Sequence, residues 1–499
     1  MRLIRLVLSL APLLSLIAAP AVRAEEGTRS PNMTHVVNLP HRAGSVDGPP
    51  AGGGTDIEFV DLTVLKRGPD GSIACKGPRA ESRPKCLETR SFALAGSYDN
   101  GLQIVDVTDP TRPATAAVYD CVVRQGDVQV FARDGRTYVT YTHDDPYQAG
   151  TGSTCYREAE ALGLFGPGVN PAGTFVVDIT DPYAPTTASF LSELRGSHNQ
   201  TVAPGGRYLY NSNSDLTRFP ATIEVFDIAD LQEPRKVFTL DLGPGLNSHD
   251  ITFNEDGTRA YSAALTHTLV LDTTNLAQPR IIGRIVDPAI NIHHQSDPVT
   301  LTDETTGLTR TFLVVTDELA GAAGNAVCPG GGLHVYDVTG PLETAPVKVG
   351  YWNMPDVRFT GTANLTCTSH VLRMYPDDQM MTIAWYNAGV RVVDISGLVG
   401  ASVGIDETLG NVGPGMREVG FHYFPDSDTW SAKINRIEAD GSFYVFGNDL
   451  NRGLDVYRFD GQAAASTSGG TWLPGTSAPP TTGTGDGGPY CLYRGLEVG

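Results

Sequence analysis

Asn247 to Gly283, NSHDITFNEDGTRAYSAALTHTLVLDTTNLAQPRIIG, is the stretch that decides the fold, because it contains one complete repeating unit. His249 to Phe253 alternates polar and apolar residues, and the runs Arg259 to Ala264 and Leu269 to Thr273 are also typical of short strands. A fourth run follows at Ile281 to Ile285. Residues that favour turns separate the runs. The stretch therefore predicts four short antiparallel strands, which is one blade of a β-propeller.

The third strand of this unit recurs along the chain, and it usually ends in aspartate. Its copies, counting the prototype, are Leu102 to Asp106, Thr174 to Asp178, Ile223 to Asp227, Leu269 to Asp272, Leu333 to Asp337, Val390 to Asp394 and, more loosely, Leu454 to Tyr457. A period of about 45 to 70 residues with four short strands is typical of radially arranged blades. The sequence predicts an all-β, seven-bladed propeller of four-stranded blades.

The ends of the chain differ in composition from the repeats. Residues 1–24 have early arginines, an apolar run and a small-residue cleavage pattern, which predicts a secretory signal peptide. Residues 25–54 are polar, except for the short strand pattern at 35–39, which is a candidate to close the ring with the last blade. The propeller is expected over 55–460. Residues 461–499 are rich in Ser, Thr, Gly and Pro, a composition that predicts disorder.

Seven cysteines are consistent with export to an oxidising compartment, where cysteines can pair. Their positions in the blades favour three pairs. These are Cys75 with Cys86, Cys121 with Cys155, and Cys328 with Cys367, which leaves Cys491 in the tail. The expected location is therefore secreted, either extracellular or periplasmic.

The formal net charge of −20 argues against nucleic acid and against an anionic membrane as partners, because both require a basic surface. The apolar run near the N-terminus is short for a membrane span, and no later run is long enough. We expect a soluble monomer without a membrane span. Its partner would be a small molecule, or an extracellular protein or glycan.

Histidines recur at one position of the repeat, the start of the first and innermost strand. The residues at this position in blades 3 to 6 are His198, His249, His294 and His370. Innermost strands surround the central channel, so these four imidazoles are expected to converge and to suit a transition metal. A purely structural role, inherited by copies of one ancestral blade, is the alternative. His293 is an alternative to His294, because a slip of one residue reverses the face of a strand.

Carboxylates supply the candidate catalytic groups. Asp127 is expected in the histidine column of blade 2, as are Asp56 in blade 1 and Ala432 in blade 7. Asp317 and Glu318 follow a second strand, at the mouth where the histidines are expected, and could act as a base or support a metal ligand. No nucleophile motif, phosphate-binding loop or zinc-finger spacing occurs in the sequence.

The repeat resembles the LVIVD-repeat family of secreted β-propellers, some of which are associated with varied surface anchors. The resemblance covers about residues 56 to 460, and the segments that carry it are Leu102 to Asp106 and its copies, Ser248-His249-Asp250, His294-Gln295, Val315 to Leu319, and Ala384 to Ser396. It implies the fold and says little about activity.

A more distant likeness is to the selenium-binding protein and methanethiol oxidase family, on Ser248 to Ile251 and Leu265 to His267. It implies a copper-linked propeller in which His198, His249, His294 and His370 hold the metal. The leading hypothesis is thus a metal-dependent oxidoreductase acting on a small, sulfur-containing molecule, with copper favoured over iron or zinc. The alternative is a non-enzymatic module that binds protein or glycan, so the sequence leaves enzymatic activity open.

Overall fold

The computed structural model describes residues 27–44, 52–68, 71–75, 83–98, 100–144, 152–166, 172–192, 196–212, 221–243, 246–318, 327–328, 330–355, 358–359, 367–401 and 414–461. Seven four-stranded antiparallel units lie around a central axis, which confirms the predicted seven-bladed β-propeller. The proposed signal peptide and Cys491 in the tail lie outside these residues.

The strands follow one another from the axis to the rim in blades 1 to 6. In blades 1 to 3 they are Gly54–Leu65, Leu87–Ser97, Leu102–Asp106 and Ala114–Tyr119; Gln125–Arg133, Arg136–His143, Gly173–Asp178 and Thr186–Ser192; and Asn199–Val202, Tyr208–Ser212, Thr222–Asp227 and Arg235–Asp241. In blades 4 to 6 they are Asp250–Phe253, Arg259–Ala263, Thr268–Asp272 and Arg280–Ile285; His293–Thr302, Thr309–Asp317, Gly332–Asp337 and Val347–Trp352; and Leu372–Tyr375, Met380–Ala384, Val390–Asp394 and Arg417–Tyr423.

Blade 7 closes the ring with a strand from near the start of the chain. Its inner strands are Thr429–Ile437, Phe443–Asp449 and Gly453–Phe459, and its outermost strand is Met33–Leu39. Met33 is paired with Phe459 and Leu39 with Leu454. The position that lacked a strand in the sequence repeat is therefore filled by the segment near the N-terminus. The short strand Thr28–Arg29 adds a fifth member to blade 6.

Few elements lie outside the blades in the described part of the chain. One α-helix, Thr154–Ala161, follows the second strand of blade 2, and the strands Val327–Cys328 and Arg358–Phe359 pair with each other. The 3₁₀ turns are Pro84–Cys86, Gly340–Thr344, Pro376–Asp378 and Ser396–Gly400. None of the described helices is long and apolar enough to cross a bilayer.

The aspartate that ends the third strand in blades 1 to 6 holds the turn that follows it. In blade 4, Asp272 accepts hydrogen bonds from the backbone N–H and the hydroxyl of Thr274 at 3.0 and 2.7 Å, and it binds the Arg280 guanidinium at 2.6 Å. The same bond to the backbone N–H two residues later is made by Asp106, Asp178, Asp227, Asp337 and Asp394. Such side-chain to backbone bonds stabilise tight turns. The most recognisable feature of the repeat is thus structural.

Apolar side chains pack between neighbouring blades. The cluster between blades 5 and 6 includes Phe312, Leu333, Met381 and Trp385, each almost completely buried. Third strands such as Thr222–Asp227 are buried along their whole length, because both of their faces lie against another blade. The axis, in contrast, is lined by polar residues, as described below.

Disulfide bonds reinforce the insertions. Cys75 is bonded to Cys86 and Cys121 to Cys155, which confirms two of the predicted pairs. The second bond ties the helix Thr154–Ala161 to the connection between blades 1 and 2. Cys367 is also disulfide-bonded. Its pairing with Cys328 stays a prediction, although Gly330 N–H donates to the Cys367 carbonyl at 2.6 Å, which brings the two segments together.

The strand that closes the ring should be essential for stability. Met33 is completely buried, in a cluster that includes Val419 and Phe459. Replacing Met33 with Ala should lower the free energy of unfolding by about 2 to 5 kcal/mol, because the truncated side chain leaves a cavity. The neighbouring substitution Thr34→Ala is the matched control, since Thr34 is exposed on the same strand. Urea unfolding curves measure both effects, and equal midpoints for the two variants would contradict this role.

Candidate metal centre

Three of the predicted histidines occupy equivalent positions at the start of an innermost strand. The backbone N–H of His198 donates to Ser212 O at 2.9 Å, that of His249 to Ala263 O at 2.7 Å, and that of His370 to Ala384 O at 3.0 Å. In each blade the acceptor lies at the end of the second strand. The repeat therefore places these three imidazoles at the same height along the axis.

A bulge places the fourth imidazole. His293 is opposite Asp317 and Gln295 is opposite Thr316, so His294 is the extra residue between them. His294 turns towards the axis, and its ring lies beside that of His249. His293 turns away, and its Nδ1 lies 2.9 Å from the Thr268 hydroxyl in blade 4. Of the two candidates in blade 5, His294 is the residue that joins the other histidines.

The four imidazoles form a continuous arc across blades 3 to 6, which we call the histidine arc. The ring centroids of His198 and His249 are 4.4 Å apart, those of His249 and His294 4.4 Å, and those of His294 and His370 4.1 Å. None of the four residues is more than 3% exposed. The convergence expected from the repeat is therefore present, in a region shielded from solvent.

Glu318 brings a carboxylate to one end of the histidine arc. It follows the second strand of blade 5, and its oxygens lie 3.7 Å from His294 Nε2 and 3.8 Å from His370 Nε2. The ligand atoms of these three residues all lie within 4.8 Å of one another. The distances are too long for direct hydrogen bonds. The group therefore has the composition and the spacing of a set of metal ligands.

Two separations within the donor set agree with the geometry of a transition-metal site. Bonds of about 2.0 to 2.2 Å from nitrogen or oxygen to the metal place neighbouring ligand atoms roughly 3 to 4 Å apart. The separations from Glu318 to His294 and His370 fall in this range. Imidazole and carboxylate together suit copper, iron and zinc.

Burial keeps three imidazoles of the arc, those of His249, His294 and His370, neutral. Desolvation lowers the pKa of His370 to about 3, and together with neighbouring histidines it holds the pKa values of His249 and His294 well below the usual range. His370 Nδ1 donates to the Trp430 carbonyl at 2.7 Å, so in the neutral ring Nε2 carries the lone pair. A fixed tautomer of this kind is typical of histidine ligands.

The histidines at the other end of the arc differ from each other. His198 Nδ1 lies 2.9 Å from an oxygen of Asp144 and donates to it, so Nε2 is left to accept from the Gln125 amide at 3.2 Å. Both ring nitrogens of His198 are thus engaged by protein groups. In contrast, neither ring nitrogen of His249 has a hydrogen bond of normal geometry to a described residue. His249 is therefore better placed than His198 to complete a metal site with Glu318.

Tyr386 holds Glu318 in place. Its hydroxyl donates to a Glu318 oxygen at 2.9 Å, and its ring lies 4.5 Å from that of His370. The Tyr386 backbone has a φ of 38°, in the left-handed region that most side chains disfavour. Reciprocal backbone hydrogen bonds with Thr429, of 3.2 and 3.1 Å, secure this conformation across two blades. The strained turn thereby aims the phenol at the carboxylate.

Asp127 does not lie among the imidazoles, contrary to the expected column. Its carboxylate accepts from the backbone and side-chain amides of Gln200 at 3.2 and 3.3 Å, and its electrostatic neighbours include Asp56 and Asp250. A register shift between Gln125 and Val128 is the reason, because it gives the position beside His198 to Gln125. Any catalytic role of Asp127 would therefore be exerted from beside Asp56 and Asp250 and not from among the imidazoles.

Blade 7 departs from the expected column in a similar way. Ala432 packs in the apolar cluster between blades 6 and 7, whereas Trp430 lies against His370, with ring centroids 4.6 Å apart. A register shift between Thr429 and Ser431 accompanies this arrangement. Trp430 and Gln125 were not singled out from the sequence, because neither bulge has a sequence signature.

The Asp317 carboxylate accepts hydrogen bonds from the segment that leads into blade 5. It accepts from the backbone N–H groups of Asn291 and Ile292 at 3.0 and 2.9 Å and from the Asn291 amide at 2.9 Å. Burial raises its pKa to about 6, against the opposing effect of these bonds. Asp317 thus fixes the backbone beside His293, and its catalytic role stays a prediction.

A layer of carboxylates lines the axis beyond the histidine arc. It consists of Asp56, Asp127, Asp250 and Asp297, and these residues share a cavity of about 1040 Å³ with the cations Arg373 and Lys433. Lys433 Nζ lies 2.7 Å from an oxygen of Asp56. Burial and the neighbouring carboxylates raise the pKa of Asp250 to about 7 and that of Asp127 well above its usual range. The cavity reaches Asp250 and Gln295, which follow His249 and His294 in sequence.

This chain is only distantly similar to proteins of known structure. No protein-family model and no curated protein sequence matches the chain, so the resemblances stated above stay predictions. Among solved structures, Kuenenia stuttgartiensis hydrazine synthase is 12% identical, with a TM-score of 0.47 over 73% of this chain and 91% of that chain. The periplasmic gluconolactonase PpgL of Pseudomonas aeruginosa is 12% identical, with a TM-score of 0.42 over 72% and 92%. The Swd1 β-propeller domain of Myceliophteria thermophila is 11% identical, with a TM-score of 0.43 over 74% and 92%. At such low identity and similarity, these likenesses carry no argument about function.

Proposed function

We propose that this protein is a transition-metal-dependent oxidoreductase that acts on a small molecule, with a sulfur-containing compound as the favoured substrate. The observation that carries the proposal is the group His294, Glu318 and His370, whose ligand atoms converge in a buried region, with His249 beside them. The metal would supply a centre that polarises the substrate and exchanges electrons with it. Copper is favoured over iron and zinc, as in the resemblance to copper-linked propellers.

The chain supplies binding, orientation and the exclusion of water at this centre. His249, His294 and His370 would bind the ion through neutral rings, and Glu318 would contribute negative charge. Burial of the histidine arc keeps competing water away. The axial cavity offers a route for a small molecule, because it reaches the residues that follow His249 and His294. Two disulfide bonds are consistent with the extracellular or periplasmic location that we propose for this chemistry.

Metal content is the first test of the proposal. Protein purified without a histidine tag from a secretory host should contain about one transition-metal ion per chain, as expected for a single site with three or four protein ligands. The variant His370→Ala should lose the ion while remaining folded. His334→Ala is the matched control, because His334 is equally buried but lies outside the arc. A lack of metal after incubation with copper(II) and zinc(II) would refute the proposal and favour a binding module for protein or glycan.

Oxygen consumption tests the redox part of the proposal. The metal-loaded protein should consume oxygen with methanethiol or ethanethiol at least about tenfold faster than His370→Ala, which is a difference of about 1.4 kcal/mol in activation free energy. Ethanol serves as the control substrate, because it differs from ethanethiol in replacing sulfur with oxygen. Equal rates for the two proteins would contradict the oxidoreductase function even if the metal is bound.

Removing the Tyr386 hydroxyl should weaken the site without dismantling it. The variant Tyr386→Phe loses the hydrogen bond to Glu318 but keeps the ring beside His370, so we expect metal affinity to fall about 10- to 100-fold. Competition with a chelator of known affinity measures the change. Tyr156→Phe is the control, since Tyr156 is buried elsewhere and its hydroxyl has no hydrogen-bond partner among the described residues. Unchanged affinity in Tyr386→Phe would show that Glu318 does not depend on the phenol.

A further inference from the structure

Aromatic rings lead from one end of the histidine arc towards the surface. The Trp430 ring lies 4.6 Å from that of His370, and the Tyr98 ring lies 5.6 Å from that of Trp430, in an edge-to-face arrangement. Tyr386 flanks the first step, 4.5 Å from His370 and 6.1 Å from Trp430. Trp430 is 3% exposed, whereas Tyr98 is partly exposed. The three rings of His370, Trp430 and Tyr98 therefore connect a buried site to solvent without a gap.

The two ends of the arc are built differently. At the blade 3 end, His198 is flanked by Asp144 and Gln125, whose side chains do not take part in one-electron chemistry. At the blade 6 end, the neighbours are tryptophan and tyrosine, the side chains from which a protein most readily removes and restores a single electron. The aromatic end is thus the side on which electrons could pass.

Burial makes a route of this kind necessary for a redox site. His294, Glu318 and His370 are at most 3% exposed, so a large electron carrier cannot touch any of the ligands. A small molecule could enter through the axial cavity, but a protein or a bulky complex could not. Electrons exchanged with such a carrier must cross the wall of the propeller.

We propose that Trp430 and Tyr98 form an electron relay between the metal site and a one-electron carrier that docks at the surface around Tyr98. The proposal rests on the metal-dependent function proposed above. In the outward direction one electron would pass from a reduced metal ion at this site to the carrier. The proton that the Tyr98 phenol loses on oxidation would return when the ring is reduced, so overall no bond is formed or broken and both rings return to their starting state. The carrier is expected to be positively charged, because the chain has a formal net charge of −20.

Stopped-flow oxidation of the reduced, copper-loaded protein tests the relay. The oxidant is tris(1,10-phenanthroline)cobalt(III), a cationic one-electron acceptor too large to enter the buried site. The variants are Trp430→Phe, which keeps an aromatic ring that is harder to oxidise, and Tyr98→Leu. The matched control is Tyr208→Leu, because Tyr208 is a partly buried tyrosine in blade 3, away from the aromatic end of the arc. Copper content and the copper(II) absorption spectrum are measured for every variant.

The relay predicts that Trp430→Phe and Tyr98→Leu slow the reoxidation of copper by about tenfold or more, while Tyr208→Leu reacts like the wild type. Copper content and spectrum should stay unchanged, which separates a lost route from a damaged site. If Trp430→Phe loses copper, the reoxidation rate of Tyr98→Leu tests the relay instead, because Tyr98 lies one ring further from His370. Equal rates in all variants with full copper would overturn the relay alone. A chain that binds only zinc would overturn the relay but keep the metal site, and a chain without metal would overturn both.

Discussion

One geometric constraint governs this molecule: seven innermost strands share a single axis, so residues at equivalent positions in different blades must meet. The repeat therefore concentrates whatever side chain it carries at that position. In blades 3 to 6 the side chain is imidazole, and the histidine arc is the result. Further along the axis, four of the blades contribute carboxylates to the layer that includes Asp127 and Asp250. Site chemistry in this fold is a product of repetition.

The two layers balance their charge in different ways. Carboxylates brought together out of water repel one another, and the layer responds through raised pKa values at Asp127 and Asp250 and through the cations Arg373 and Lys433. His249, His294 and His370 avoid this repulsion because burial lowers their pKa values and keeps the rings neutral. Glu318 then places a carboxylate between two neutral rings. A bound cation would offset the cost of burying that charge.

The sequence was informative wherever the pattern of the strand was regular. Alternation and the repeated aspartate predicted seven blades, and the column correctly placed His198, His249 and His370 at equivalent positions. The expected column was wrong where a first strand contains a bulge. One extra residue changes which face a side chain occupies, so Gln125 replaces Asp127 beside His198, and Trp430 replaces Ala432 beside His370. The choice between His293 and His294 was open for the same reason.

Contacts across blades were also beyond the reach of sequence patterns. Tyr386 meets Glu318 from another blade, through a strained turn that no composition or period indicates. The sequence indicated that the ends of the second strands lie at the mouth of the channel near the histidines. It did not indicate which side chains at this mouth bind one another.

Closing the ring with Met33–Leu39 has a consequence for how the protein is made. The hydrogen bond between His35 and Asp455 joins residues 420 positions apart, so one of the first strands to be synthesised pairs with one of the last. A nascent chain must hold this strand unpaired until nearly the whole propeller has been translated. Until then the edges of the open array can pair with those of other molecules. Folding to completion is thus a late, single event, and a chain that stops before blade 7 has no partner for the strand Met33–Leu39.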